Sequence, residues 1–304
     1  MHLTPLTPVS QLICNRSLYT YSAAVKHAHV AGGAEGIGAS LLFVYGVNMK
    51  YICELSAMTI ATEIARGVLT AEQVIEAHLQ RITEMNPTLN AITHVFAEEA
   101  LAAARLADQL PDHDRGALHG VPFTVKEAID CHGSATTFGV PGLSGNMPLE
   151  DAPTVARLKS AGAILLGRTN MSEMGLRIAT DNPLRGTTLN PWDHSRTAGG
   201  SSGGDAVALA AGMTPLALGS DMGGSLRIPA AFCGVTSLKA TRGRIPTARS
   251  TPPEDGGLTM QLLYTVGPMA RTIEDLRLAF SLLAGRDIRD PISVSVPLEG
   301  PPAP

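Results

Sequence analysis

The 304-residue chain is short of the features that mark several common protein classes. Charged residues make up only 16% of it and aromatic residues 4%, and the net charge of −4 comes from both signs spread along the chain. No basic patch stands out, so the electrostatic footprint of a nucleic-acid partner is missing. The four cysteines, Cys14, Cys53, Cys131 and Cys233, are scattered without a CxxC pair. That speaks against a zinc knuckle or a dense disulfide framework and fits a reducing, cytoplasmic compartment. Long apolar runs are missing too. Residues 31–47 hold Glu35 and several glycines, too short and too broken a stretch to span a bilayer. The amino-terminal region also lacks the basic start and apolar middle of a secretory signal. No membrane, metal or cofactor is expected; His113 and His119, for instance, make no zinc-ligand spacing.

What is present is a hydrophobic fraction of 44% with 31 glycines and 21 prolines, which suits a buried sheet joined by tight loops. Residues 32–38, Gly-Gly-Ala-Glu-Gly-Ile-Gly, have the look of a nucleotide-binding glycine turn. Such a turn needs a preceding strand and a downstream Tyr-x-x-x-Lys pair, and no such pair follows at a suitable distance. Residues 1–48 are therefore expected to be an atypical, poorly ordered extension, with Met49 as the start of translation. Residues 49–292 form the folded domain and 293–304 a proline-rich tail. Thr70-Ala-Glu-Gln73 is a capping box, and Val74, Ile75, Leu79 and Ile82 follow at helical spacing, which predicts a helix that stops at Asn86-Pro87. Further helices are expected over 96–110, from Pro153 to near Gly162, over 204–212 and over 272–285. Short apolar strands are expected at 123–126, 163–166 and 215–218. Strands alternating with helices predict an α/β fold with a covered, mostly parallel core.

The chemistry is concentrated in residues 199–230. Gly199-Gly200-Ser201-Ser202-Gly203-Gly204-Asp205 precedes a small-residue helix, and Gly219-Ser220-Asp221-Met222-Gly223-Gly224-Ser225-Leu226-Arg227 follows it. Glycines let a backbone approach a ligand closely, so serines between them can stand exposed on tight turns. Consecutive amides at Met222, Gly223 and Gly224 could converge as an anion-binding nest beside the Ser225 hydroxyl. Acyl transfer needs that combination, a nucleophile next to donors that stabilise an oxyanion. A serine hydroxyl also needs a base. No G-x-S-x-G elbow surrounds Ser225, and no local motif suggests a Ser-His-Asp order. Lys126 ends the apolar strand Val121-Pro-Phe-Thr-Val-Lys126; burial there would lower its proton affinity enough for base work. Cys131-His132 lacks any second motif to support a thiol nucleophile, and Ser202 is the alternative to Ser201 as relay.

These segments resemble the amidase signature family. The likeness covers residues 52–291: 199–230, Gly120 to Lys126, the partial echo in Gly133, Thr136, Thr137 and Gly139, and Gly167-Arg168-Thr169-Asn170-Met171-Ser172-Glu173. Asn190-Pro191-Trp192-Asp193 and the closing Gly267-Pro268-Met269-Ala270-Arg271-Thr272 complete it. The resemblance implies an α/β/α sandwich around a mixed, largely parallel central sheet. It implies an amidase that cleaves a carboxamide through an acyl enzyme on Ser225, with Ser201 on a cis peptide relaying the proton to neutral Lys126. Backbone N–H groups of Met222, Gly223 and Gly224 would hold the oxyanion, while Ser202, Asp221 and Arg227 brace the site. The implied partner is a small-molecule amide, with a homodimer left open. Two alternatives remain: the glutamine-hydrolysing component of a tRNA-dependent amidotransferase, and an inactive relative that only binds. Family members continue past the Gly-Pro-Met-Ala-Arg-Thr motif, so the resemblance also implies a fragment whose sheet is incomplete on its C-terminal side. Departures are Ala198, His194 and Ser237-Leu238-Lys239-Ala240, expected to shift loops only.

Overall fold

The computed structural model of the protein describes residues 49–252 and 257–298. The expectations for residues 1–48, including the glycine run at 32–38, lie outside these residues. Six strands form one sheet in the order β1-β3-β2-β4-β6-β5: β1 (Ile92–Val95), β2 (Pro122–Lys126), β3 (Ile164–Thr169), β4 (Leu216–Asp221), β5 (Thr236–Ser237) and β6 (Thr265–Ala270). The sheet is mixed. Parallel pairing joins β3, β2 and β4 at its centre, and β1, β6 and β5 add on antiparallel. Every residue of β2 and β4 is buried, as expected of central strands covered on both faces.

The helices are α1 (Met49–Glu54), α2 (Ala57–Ala65), α3 (Ala71–Leu89), α4 (Ala97–Asp108), α5 (Pro153–Ser160), α6 (Gly203–Ala210), α7 (Arg227–Cys233), α8 (Leu258–Leu263) and α9 (Ile273–Leu283). Thr70 and Gln73 form the expected capping box at α3. The structure adds a second device there: the Asp108 carboxylate at the end of α4 accepts the Ala71 and Glu72 amides at 2.7 and 3.1 Å. Asp275 of α9 does the same for Ala57 and Met58 at the start of α2, at 3.0 and 2.9 Å. A carboxylate at a helix N-terminus satisfies orphan donors and complements the dipole. Helix α3 runs through Pro87 to Leu89, past the expected stop. Pro87 falls in the last turn, where its missing N–H costs little, and left-handed Asn90 (φ 49°) closes the helix by donating to Asn86 O at 2.8 Å.

Helix α6 lies across the sheet, in contact with β1, β2, β3, β4 and β6. Close approach of its first turn depends on Gly204. A Cβ there would sit 2.4 Å from Asn170 N and 2.7 Å from Ala91 O, so any side chain would push the helix off the sheet. Cys53, Cys131 and Cys233 are free and buried. Burial pushes the Cys53 thiol up to about 11 and Cys233 up to about 12, and it raises Cys131 as well. A buried thiol with so high a pKa is no nucleophile, which disposes of the Cys131-His132 alternative.

Candidate active site

Lys126 is the last residue of β2 and is fully buried. Its Nζ donates to Ser201 Oγ at 2.6 Å, Ser202 Oγ at 2.9 Å and Ser220 Oγ at 3.1 Å. The amine therefore has three hydroxyl partners and no carboxylate in direct contact. Burial lowers its proton affinity, against the pull of Asp205 and Asp221. Ser201 and Ser202 reach it because they immediately precede α6, and the Gly200–Ser201 peptide bond is cis. Gly219 leaves room for the pair: a Cβ on it would come within 2.9 Å of Ser202 Oγ. Ser202 Oγ in turn donates to Ser220 O at 3.2 Å.

Ser225 stands on the turn between β4 and α7 and is half-buried. Its carbonyl accepts the Ser202 amide at 3.1 Å, which holds that turn against the Ser201–Ser202 pair. Asp221, fully buried, organises the turn from within. Its two carboxylate oxygens accept the Gly224 amide at 2.8 Å and the Leu226 amide at 3.0 Å. Arg227 adds a two-pronged ion pair, Nε to Oδ2 and Nη2 to Oδ1, both at 3.0 Å. Burial pushes the Asp221 carboxyl up, but Arg227 and the two amides outweigh it and hold the group below the usual range. This arrangement corrects one expectation. The Gly224 amide is already engaged by Asp221, so the anion cradle narrows to the amides of Met222, Gly223 and Ser225.

The structure thus gathers Lys126, Ser201, Ser202 and the Ser225 turn in one place, with Asp221 and Arg227 bracing that turn. Sequence reasoning misses Ser220, which reads as one more member of a glycine-serine turn. Its position at the end of an apolar strand, beside Asp221, is the available signal. Glu127 is missed as well. It is buried next to Lys126 and accepts from Thr93 at 2.5 Å, from Arg185 at 3.0 Å and from Thr137.

A family model described as Amidase matches residues 73–303. The chain belongs to the amidase signature family. Among curated proteins, the amidase relatives include an indoleacetamide hydrolase of Bradyrhizobium diazoefficiens, 44% identical over 252 residues, which cover 82% of this chain and 48% of that protein. They also include the GatA-type component of the glutamyl-tRNA(Gln) amidotransferase of Chloroflexus aurantiacus, 40% identical over 257 residues, covering 83% and 51%. Among solved structures, the native peptide amidase of Stenotrophomonas maltophilia superposes with a TM-score of 0.74 at 34% identity, covering 83% of this chain and 52% of that one. The chain spans about half the length of the curated relatives it matches.

The Asp221–Arg227 pair makes its own prediction. Arg227→Ala leaves the buried Asp221 carboxylate with only two amide partners, and the amidase domain should melt at a lower temperature at pH 7. A hydrogen-bonded charge of this kind is worth about 1–3 kcal/mol, reduced here because Arg227 is largely exposed. Pairing depresses the folded-state pKa of Asp221, so its stabilisation is present above the unfolded carboxyl pKa, about 3.9, and is lost as pH falls through the folded value. Melting curves of parent and variant should accordingly converge below about pH 4. A constant gap down to about pH 2 would contradict this account.

Proposed function

We propose that the chain hydrolyses a carboxamide to a carboxylic acid and ammonia or an amine through an acyl-Ser225 intermediate. The observation that carries this reading is the fully buried Lys126 amine 2.6 Å from Ser201 Oγ, beside the turn that presents Ser225. As an ammonium, Nζ offers one N–H to each of three hydroxyls. Once deprotonated it has two N–H groups and a lone pair. The Ser202 proton is committed to Ser220 O, so the lone pair turns to Ser201, the shortest contact. Ser225 Oγ attacks the amide carbon while its proton passes through Ser201 to Nζ. The amides of Met222, Gly223 and Ser225 receive the oxyanion. The C–N bond then breaks as the proton returns through Ser201 to the leaving nitrogen. Water repeats the sequence on the acyl ester, releasing the acid and restoring Ser225.

The borders of the site favour an apolar amide. Ser172 N donates to Ser201 O at 3.3 Å, which places the following loop over the relay serine. Met174, Leu176 and Ile178 of that loop are exposed, at 44%, 76% and 65% of their surface. The likeness to an indoleacetamide hydrolase supports the same choice. The likeness to the tRNA-dependent amidotransferase supports a second reading, in which glutamine is the ammonia source. Ammonia release from indoleacetamide and from glutamine, each at about 1 mM, separates them. Faster release from the aromatic amide is expected. A preference for glutamine would favour the second reading. Release from neither, together with no covalent labelling of Ser225 by a fluorophosphonate, would leave only a binding role.

A further inference from the structure

We propose that Asp205 is a positioning residue whose carboxyl group, buried behind Lys126, sets the proton affinity of the catalytic amine. This rests on the reading of Lys126 as the base. Asp205 lies in the first turn of α6, the same chain segment that delivers Ser201 and Ser202 to Lys126. Thr169 on β3 is the register partner of Lys126 on β2, and its hydroxyl donates to Asp205 Oδ1 at 2.5 Å. Amine, hydroxyl and carboxyl thus form one cluster between the sheet and α6. The carboxyl is 0% exposed, and its second oxygen, Oδ2, has no hydrogen-bond partner among the described residues. An ionised carboxylate with an idle oxygen in a dry interior is costly, so a group kept there either shares the charge of a neighbour or carries a proton itself.

The neighbours limit which charges take part. Lys126 on β2 and Arg168 on β3 act on Asp205. Arg168 is occupied by main-chain carbonyls. Asp221 on β4 is tied to Arg227 of α7. Strand β6 has no charged residue, and β1 has only the exposed His94 as a titratable one. Lys126 is therefore the cation whose charge Asp205 is placed to regulate. Burial pushes the Asp205 carboxyl up, with Thr169, Lys126 and Arg168 pulling it back. Burial lowers Lys126, with Asp205 holding it up ahead of Asp221. Removing the carboxylate therefore makes the amine lose its proton at lower pH.

The test is the rate at which a fluorophosphonate labels Ser225, measured from about pH 5 to about pH 10 on the full chain. Asp205→Asn keeps the shape and the Thr169 contact but removes the charge. Its acid limb is expected to move down by about one pH unit. Asp205→Ser, which also lacks the charge, should move the same way and serves if the Asn variant folds poorly. Asp205→Glu should return the midpoint towards the parent. A residue that only packed would alter the plateau or the melting temperature and leave the midpoint in place. Coincident midpoints for parent and both uncharged variants overturn the inference. Lys126→Met is run beside them. If it labels as fast as the parent, the base assignment itself fails. If it is silent while the Asp205 midpoints stay fixed, only the role of Asp205 fails.

Discussion

Lys126→Ala and Ser225→Ala are each expected to lower amide hydrolysis by about 10³-fold or more, with little change in far-UV circular dichroism. The two losses should differ in kind. Ser225→Ala removes the atom that is acylated, so fluorophosphonate labelling disappears at every pH. Lys126→Ala leaves the nucleophile and the amide cradle intact, so slow labelling persists and rises at high pH, where hydroxide supplants the amine. The double variant should be no slower than the worse single one, because members of one relay are strongly non-additive. In the parent, the rate should climb with pH through a midpoint below the ordinary lysine value of about 10.4, since burial lowers Lys126. Retention of a tenth of parent activity by Lys126→Ala would rule out the amine as the base.

Arg168→Met is expected to destabilise the domain by about 3–5 kcal/mol, through loss of a buried charge from a site built around it. Arg168 is fully buried. It donates from Nε to Val125 O at 3.2 Å, from Nη2 to Lys126 O at 3.1 Å and Ile129 O at 2.7 Å, and from Nη1 to Ser134 O at 3.4 Å. Methionine fills much of the volume but leaves these carbonyls unsatisfied in a dry interior. At about 2–4 °C per kcal/mol for a domain of this size, the melting temperature should fall by roughly 10 °C. Arg168→Lys should recover only part of the loss, since one ammonium cannot span four carbonyls. A methionine variant that melts within about 2 °C of the parent would show the guanidinium to be dispensable. The same contacts fix the turn that leaves β2, so partly folded variants should also lose activity through a displaced Lys126.

The parts of the fold legible in the sequence are those governed by local rules. Thr70 and Gln73 announce α3, Pro153 the first turn of α5, and the apolar run ending at Lys126 the central strand. Strand β6 escapes because Pro268 reads as a strand breaker. It pairs with Leu218 on β4, and the Pro268 carbonyl accepts from Leu238 on its other side. The start of α2 depends on Asp275, 218 residues away in the chain, and no local pattern discloses such a cap. At the site, Lys126, Ser201 and Ser225 are readable because glycines and apolar neighbours frame them. Ser220, Thr169 and Asp205 are not, since their relation to Lys126 exists only once three strands and one helix are assembled. The engagement of the Gly224 amide by Asp221 is hidden for the same reason.

The sealed cysteines bear on how such a catalyst would withstand chemical stress. Its reacting atoms would be oxygens and one nitrogen, while the sulfurs at 53, 131 and 233 sit out of reach with their protons held on. Peroxide or iodoacetamide at doses that silence a thiol hydrolase should leave amide turnover running. A cell under oxidative attack could then go on drawing nitrogen from amides while its thiol-dependent enzymes stall.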